Sequence, residues 1–272
     1  MYKRMNEQLQ KEGAMALVTG ASSGIGLAYA RELARRGYDL LLVSNEQERI
    51  GTVAEELAAA FGVKTIPLCM DLARSEAARE LYDYCEREKL QIGILVNNAG
   101  IFFFDLTEVT PERIETMLLL HIRTVTLLCR YFGAAMKRRR AGYILNMSSL
   151  SAWTPAPGIS VYAASKSYIR KFSQMLRYEL HQYGVGVTTV CPGAIATGLY
   201  NLSDYYQRLA LRLGVMMKPE RLARKGLRAM FARRDYILPG AVNRFFVLAL
   251  YLLPVQLIYY IKEHTKLYRY GC

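Results

Sequence analysis

The chain has 272 residues, of which 52% are hydrophobic and 22% are charged, and its mean hydropathy is +0.06. This length supports a continuous hydrophobic core, and the composition excludes intrinsic disorder and a small disulfide-linked scaffold. The net charge is +13, and residues 218–272 supply most of it, with 11 lysines and arginines against three acidic residues. A basic segment can bind nucleic acid, bind an anionic membrane or simply be solvated, and the residues around it distinguish these roles.

The cysteines and the first residues restrict the chemistry further. Five cysteines are scattered along the chain without the spacing of a metal or redox site, so no metal is predicted and a reducing compartment fits best. The first 13 residues are charged and contain no apolar run, so no secretory signal is expected.

Short apolar runs alternate with longer amphipathic stretches over the first 190 residues. The strands are predicted at Ala14–Thr19, Asp39–Ser44, Lys64–Met70, Ile92–Val96, Gly142–Met147 and Val185–Val190. Helices are predicted at Gly24–Gly37, Glu46–Phe61, Ser75–Lys89, Thr110–Lys137 and Tyr162–Tyr183, and further along at Glu220–Arg234, before a short strand at Tyr236–Leu238.

Alternation of this kind predicts an α/β fold with a doubly wound, mostly parallel Rossmann-like sheet and helices on both faces. Residues 1–240 are predicted to form a single oxidoreductase domain, with a substrate loop over residues 197–217. Residues 241–272 form an apolar and basic extension that is expected to contact a membrane or another subunit.

A glycine-rich loop follows the first strand directly and opens the first helix. Glycines at this place allow a tight turn, close approach of backbone N–H groups to a pyrophosphate, and close packing of helix on sheet. No Gly-Lys-Ser/Thr sequence ends the loop, which disfavours phosphoryl transfer. The candidate dinucleotide-binding residues here are Gly20, Ser22, Ser23, Gly24, Ile25 and Gly26.

A second group of residues has the chemistry of an acid–base catalyst. Tyr162 and Lys166 lie four positions apart and therefore share one helix face. A phenol has a pKa of about 10, and a neighbouring ammonium favours the phenolate, which makes the pair a usable proton donor and acceptor. Ser149, at the end of the fifth strand, can hydrogen-bond the same substrate oxygen.

In combination, these motifs resemble the short-chain dehydrogenase/reductase family in its compact, single-domain form. The matching features are the glycine loop, Asn97-Asn98-Ala99-Gly100 after the fourth strand, Ser149 thirteen positions before Tyr162, Lys166, and Pro192-Gly193 after the sixth strand. The resemblance covers roughly residues 14–200 and implies interconversion of a carbonyl and a secondary alcohol with a nicotinamide cofactor.

The resemblance also implies roles for individual cofactor contacts. Asp71 would hydrogen-bond the adenine amino group, and Lys166 would bind the nicotinamide ribose as well as tune Tyr162. The remaining candidate cofactor contacts are Ser44, Asn45, Leu72, Asn98, Ala99, Gly100, Pro192, Gly193, Ile195 and Thr197.

His121 departs from the family pattern. Similar enzymes carry a catalytic Asn in the long helix after the Asn-Asn-Ala-Gly motif, and here His121 takes that position. Three interpretations stay open: a replacement that acts as a relay or shapes the helix, a packed helix residue, or a mark of impaired catalysis.

Cofactor preference rests on the end of the second strand. NAD-selective relatives commonly have an acid there, whereas this chain has Ser44-Asn45. The missing carboxylate favours NADP(H) over NAD(H), and Arg49 is either a contact for the 2′-phosphate or an exposed helix residue.

The regions flanking the catalytic residues are apolar and aromatic. They include Trp153 and the segment 199–209, and Phe102-Phe103-Phe104 either joins them or packs in the core. A hydrophobic ketone such as a 3-oxoacyl chain, a 3-ketosphingoid base or a steroid is therefore expected. The alternatives are a soluble reductase of small ketones and a cofactor-binding scaffold without turnover.

An uncharged run, residues 245–261, lies between Arg244 and Lys262. As a straight helix it would span about 25 Å, short of a hydrocarbon core of about 30 Å, so a peripheral membrane contact is preferred to an oligomer interface or a single span. Nucleic acid is not expected as a partner. The protein is predicted to be cytoplasmic, at the inner face of a membrane, and to form a homodimer or homotetramer.

Overall fold

The computed structural model describes residues 13–155, 157–196 and 216–240, with isolated positions beyond them. The isolated positions are Arg208, Leu211, Arg212, Asn243, Phe245, Val247, Ala249, Gln256, Leu257 and His264. The substrate loop and the C-terminal extension therefore lie mostly outside the described residues, and the division of the chain at residue 240 stays a prediction.

Seven parallel strands form the main sheet, in the order β3-β2-β1-β4-β5-β6-β9. The strands are β1 (Met15–Thr19), β2 (Leu40–Ser44), β3 (Thr65–Cys69), β4 (Ile92–Asn97), β5 (Gly142–Met147), β6 (Val185–Val190) and β9 (Tyr236–Ile237). A separate two-stranded sheet pairs β7 (Ala194–Ile195) with β8 (Met216–Met217). The predicted doubly wound parallel sheet is confirmed.

Helices cover both faces of the sheet. They are α1 (Gly24–Ala34), α2 (Gln47–Phe61), α3 (Ala77–Arg87), α4 (Pro111–Leu118), α5 (Val125–Arg139), α6 (Ser160–His181) and α7 (Pro219–Phe231). One apolar core joins α1, α2 and α7 to one face, and a second joins α3, α5 and α6 to the other. Strands β1, β2, β4, β5 and β6 are buried throughout, as expected for a parallel sheet that helices cover on both faces.

The predicted elements are all present, and their ends shift by a few residues. One prediction was wrong in kind: the helix expected over Thr110–Lys137 is interrupted by a π-helical segment at Leu119–Thr124. A π-helical turn inserts an extra residue into the helix and is frequent at functional sites. His121 lies in this segment, which turns its side chain into the protein interior, where it is fully buried.

A close helix contact joins α1 to α7. Gly226 of α7 faces the buried ring of Tyr29 in α1, and a Cβ added at Gly226 would overlap the Tyr29 hydroxyl. The two helices approach this closely because glycine has no side chain at that point. The contact brings the outer surfaces of α1 and α7 side by side.

We expect Gly226→Ala to lower the free energy of unfolding by about 1–3 kcal/mol, because the added methyl group overpacks the contact with Tyr29. Gly51→Ala in α2 is the matched control, since a Cβ there meets nothing within 4 Å. The control should be neutral or raise the stability by up to about 1 kcal/mol. Urea unfolding of both variants tests this, and equal effects would contradict the assigned contact.

Candidate active site

A cleft of about 650 Å³ opens at the carboxyl ends of the strands, where the strand order reverses between β1 and β4. Ligands of doubly wound sheets bind at such a switch point. The cleft is lined by nearly all the residues that the sequence predicts as a site: Gly20, Ser22, Ser23, Gly24, Ile25, Ser44, Asn45, Asp71, Leu72, Asn98, Ala99, Gly100, His121, Ser149, Tyr162, Lys166, Pro192, Gly193 and Ile195. Thr197 lies outside the described residues.

The glycine loop is shaped to bring its backbone close to a ligand. Gly20 and Gly24 have φ angles of 64° and 54°, in the left-handed region that favours glycine. Gly26 does not line the cleft; a Cβ there would overlap the Gly20 carbonyl oxygen, so Gly26 allows the helix to pack against the loop. The N-cap of α1, Ser23, makes no side-chain capping bond, which leaves first-turn N–H groups available to an anion.

Hydrogen bonds hold the ends of β1 and β4 together beneath this loop. Thr19 Oγ1 accepts hydrogen bonds from the N–H groups of Asn98 and Ala99, each at 3.0 Å. In return, Asn98 Nδ2 donates to the carbonyl oxygens of Thr19 and Gly20. Asn98 therefore fixes the loop through its side chain while its backbone lines the cleft.

The adenosine end of the cleft is polar and lacks an acid at the end of β2. Ser44 Oγ donates to Ser22 Oγ at 2.9 Å and accepts from the Glu46 N–H. Asp71 is exposed, and its Oδ1 accepts a hydrogen bond from the Ala73 N–H. Its second carboxylate oxygen can accept a hydrogen bond from a ligand. Arg49 also lines the cleft here, exposed and 4.0 Å from the Glu46 carboxylate.

Tyr162, Lys166 and Ser149 meet at the other end of the cleft. The Lys166 ammonium lies 5.4 Å from the centre of the Tyr162 ring and donates a hydrogen bond to the Met147 carbonyl oxygen at 3.1 Å. Ser149 Oγ accepts from the Ser151 N–H at 3.2 Å and caps a short 3₁₀ turn, so its own hydroxyl proton can be donated elsewhere. Ser148, next to it, donates to the Lys166 carbonyl oxygen and ties β5 to α6.

Lys166 is an unusual lysine because it is buried, at 5% exposure. Burial lowers the pKa of its ammonium to about 8, since desolvation disfavours the charged form. No carboxylate among the described residues forms a salt bridge with it. A buried cation without a counter-charge suits a site whose ligand brings hydroxyl groups or negative charge.

His121 joins the loop after β4 to helix α6, which carries Tyr162 and Lys166. Its Nε2 accepts a hydrogen bond from the Ile101 N–H at 3.1 Å, so the ring proton must be on Nδ1. Nδ1 then donates to Ser165 Oγ at 2.9 Å, and Ser165 Oγ donates to the Tyr162 carbonyl oxygen at 2.8 Å. Burial and the nearby Lys166 hold the pKa of His121 well below 6.5, so the ring is neutral.

Aromatic side chains surround Tyr162. Phe102 packs edge-on against its ring with 4.9 Å between the centres, and Phe104 packs edge-on against Phe102. Trp153 does not line the cleft; it packs against Tyr236 and beneath the Arg170 guanidinium instead. Phe102 and Phe104 do not line the cleft either, and they reach Tyr162 from the segment after β4.

Sequence reasoning missed several residues that build the site. Ser165 is the partner of His121, and Thr19 fixes the glycine loop. Both are small hydroxyl residues next to predicted motifs, and only their position beside those motifs could have identified them. The further lining residues that were not predicted are Glu46, Met70, Ile101, Leu120, Met147, Ser148 and Ala196.

Comparison with known proteins agrees with this geometry. The family model described as short chain dehydrogenase matches residues 14–204. A very-long-chain 3-oxoacyl-CoA reductase of Anas platyrhynchos is 37% identical over 199 residues, which are 70% of this chain and 62% of that protein. The inactive hydroxysteroid dehydrogenase-like protein 1 of Homo sapiens is 32% identical over 206 residues, 74% of this chain and 61% of that protein.

Among solved structures, a short-chain dehydrogenase from Sphingobium yanoikuyae in complex with NADPH has a TM-score of 0.76 and 30% identity. That match covers 94% of this chain and all of the other. The matches to the curated relatives span only about three fifths of their length. The family model, the relatives and the geometry of the cleft agree, and the chain belongs to the short-chain dehydrogenase family.

Proposed function

We propose that the chain is an NADP(H)-dependent oxidoreductase that reduces a ketone on a hydrophobic, lipid-like substrate to a secondary alcohol. The observation that carries the proposal is a single cleft that holds the glycine loop at one end and Tyr162, Lys166 and Ser149 at the other. The loop, with Gly20 and Gly24 in the left-handed region and an N-cap that makes no side-chain bond to the first turn of α1, fits a dinucleotide.

Nicotinamide chemistry, when the cofactor is bound, supplies the hydride that adds to the carbonyl carbon. Tyr162 donates its phenolic proton to the substrate oxygen, and the ammonium of Lys166 stabilises the phenolate that results. Ser149 donates a hydrogen bond to the same oxygen and orients the carbonyl. Tyr162 lies beneath Phe102, and the low polarity there strengthens each of these electrostatic interactions.

Three observations support NADP(H). The end of β2 offers Ser44 and Asn45 in place of an acid, and Glu46, which lines the cleft after them, lies 4.0 Å from the Arg49 guanidinium, which offsets its charge. Arg49, which lines the cleft beside them, supplies a guanidinium whose planar donors match a phosphate. The related structure from Sphingobium yanoikuyae carries NADPH.

The substrate class is supported by the apolar residues around Tyr162 and by the relatives. Ile101, Leu120 and Met147 line the cleft together with Tyr162, which suits an acyl chain or a fused ring better than a sugar. The relatives are named for reduction of very-long-chain 3-oxoacyl-CoA and for hydroxysteroids. A 3-oxoacyl chain, a 3-ketosphingoid base and a steroid are the candidates.

A second candidate function is a cofactor-binding protein without turnover. One relative is named inactive, and His121 replaces the Asn of similar enzymes. Against this candidate, Ser149, Tyr162 and Lys166 are all present and all line the cleft.

We further propose that residues 241–272 contact a membrane peripherally and that two copies pair through α4, α5 and α6. Within the described part of the chain, no helix is both long and apolar enough to cross a bilayer. Two tail side chains that are described, Phe245 and Leu257, are exposed. Leu118, Met175 and Tyr178 are exposed apolar side chains on the proposed pairing helices.

The central test is Tyr162→Phe, which removes the proton donor and leaves the ring. We expect the rate of NADPH oxidation with a long-chain 3-oxo ester to fall by about 10²-fold or more, with NADPH binding retained. Tyr168→Phe on the same helix is the control, because that hydroxyl is exposed and bonds to Thr126. Activity unchanged in Tyr162→Phe, or faster turnover of cyclohexanone than of the ester by the wild type, contradicts the proposal.

His121 is proposed as a positioning residue rather than a relay. His121→Ala leaves the Ile101 N–H and Ser165 without their partner, so we expect a loss of about 2–4 kcal/mol in stability and a lower kcat. Because the folded-state pKa of His121 lies below 6.5, the unfolded chain binds more protons at low pH. Wild-type stability should therefore decline as the pH falls below about 6.5.

The size of this decline should be smaller in His121→Asn, and His181→Ala, which removes an exposed histidine, is the control. Thermal unfolding from pH 5 to pH 8 with steady-state kinetics measures both effects. Full activity and unchanged stability in His121→Ala would rule out positioning.

Arg49→Ala tests the cofactor preference. Removing the guanidinium should raise the KM for NADPH about tenfold and leave the KM for NADH unchanged, because the 2′-phosphate is present only in NADPH. Arg87→Ala, an exposed arginine on α3, is the control. Equal changes with both cofactors would show that Arg49 does not contact the 2′-phosphate.

A further inference from the structure

The outer surfaces of α1 and α7 together form a basic face. The exposed residues of α1 and its C-cap are Arg31 and Arg35, and α7 exposes three arginines at helical spacing. The contact of Gly226 with Tyr29 places the two helices side by side. We define the basic face as Arg31, Arg35, Arg36, Arg221, Arg224, Lys225 and Arg228.

The basic face has few negative charges to neutralise it. The acidic residues of these two helices are Glu32, which is buried and pairs with Arg35 and Arg36, and Glu220. Arg221, Arg224 and Arg228 form no salt bridge with any described residue. Their side chains point away from the sheet, because the opposite side of α7 is buried in the core.

Other helices of the same chain are charged differently. On α3 and its flanks, Arg74, Arg79 and Arg87 each pair with a carboxylate within 3.1 Å. The outer surface of α2 carries Glu48, Glu55 and Glu56. The basic face is thus not shared by α2 or α3, and the other basic run in this part of the chain, Lys137-Arg138-Arg139-Arg140, lies at the end of α5.

The sequence after α7 indicates what the basic face would bind. Helix α7 leads directly into β9, and after Gly240 the sequence continues into the uncharged run of residues 245–261. Phe245, at 72% exposure, is not taken up by the core. A cationic surface followed in the sequence by an apolar segment matches the two layers of an anionic membrane surface, its charged headgroups and its acyl region.

We propose that the basic face docks the protein on an anionic lipid bilayer. The arginines provide electrostatic attraction to lipid headgroups, while the segment after Gly240 supplies apolar contact. This inference extends the proposed membrane contact of residues 241–272 by naming the folded surface that shares it. It does not depend on catalysis, because none of the seven residues of the basic face lines the cleft.

Co-sedimentation of the full chain with vesicles tests the proposal. We expect stronger binding to vesicles of phosphatidylcholine with phosphatidylserine than to phosphatidylcholine alone, and the excess should decrease as salt is added. Binding to the neutral vesicles measures the contribution of the apolar segment after Gly240 separately from that of the arginines. Equal binding to both vesicles would overturn the proposal.

The variant Arg221→Gln/Arg224→Gln/Arg228→Gln should lower the affinity for anionic vesicles by about 10- to 100-fold and leave neutral binding unchanged. Its control is Arg74→Gln/Arg79→Gln/Arg87→Gln, which removes the same charge from α3 and the segment before it and should have a much smaller effect. Thermal unfolding and reduction of a water-soluble ketone should be unchanged in the α7 variant, which confirms its fold.

Two outcomes would contradict membrane docking. An equal loss of vesicle binding in both triple variants would indicate net charge rather than the basic face. Binding of a duplex oligonucleotide that depends on Arg221, Arg224 and Arg228, with vesicle binding unaffected by their loss, would show that the face serves nucleic acid.

Discussion

The active-site geometry depends on buried side-chain hydrogen bonds that tie the carboxyl ends of the central strands to one another. Asn97 Nδ2 in β4 donates to Asn146 Oδ1 in β5 at 2.8 Å, and Asn146 Nδ2 donates to Ser173 Oγ in α6 at 2.9 Å. Thr19 and Asn98 make the corresponding connection between β1 and β4. Buried polar groups cost free energy when unpaired, so these bonds fix the relative positions of the glycine loop, the central strands and α6.

The need to satisfy buried polar groups also explains why the histidine near the buried Lys166 is neutral. Lys166 is charged at neutral pH even though burial lowers its pKa to about 8. A second positive charge on His121 would repel it, and the hydrogen bond from the Ile101 N–H requires a lone pair on Nε2. The neutral ring of His121 thus links the loop after β4, which contains Gly100, to α6 without placing a second positive charge near Lys166. A Cβ at Gly100 would lie only 2.8 Å from Nε2, so the glycine makes this link possible.

Much of the fold could be predicted because local patterns and tertiary structure agree. Continuous apolar runs identify the strands buried on both faces, and the glycine loop after β1 and the Tyr162/Lys166 pair identify the two ends of the cleft. The π-helical segment around His121 could not be predicted, because it accompanies the long-range contacts of His121 with Ile101 and Ser165, which local propensity does not reveal.

The basic face of α1 and α7 could not be predicted from the sequence either. The basic residues of residues 218–234 are visible in the sequence, but Arg31 and Arg35 lie almost 200 positions earlier, and only the packing of Gly226 on Tyr29 brings the two sets together. Trp153 shows the reverse case: its place between Ser149 and Tyr162 indicates a substrate contact, yet it packs on Arg170 and Tyr236.

In this account one cleft combines dinucleotide binding with proton donation to a ketone, and a separate surface determines where the enzyme works. The most direct measurement is isotope transfer, in which the full chain is incubated with a long-chain 3-oxo ester and NADPH deuterated at C4 of the nicotinamide. Mass spectrometry should find deuterium on the carbinol carbon of the product alcohol. An unchanged ester, or an alcohol without deuterium from either face of the labelled cofactor, would contradict the account.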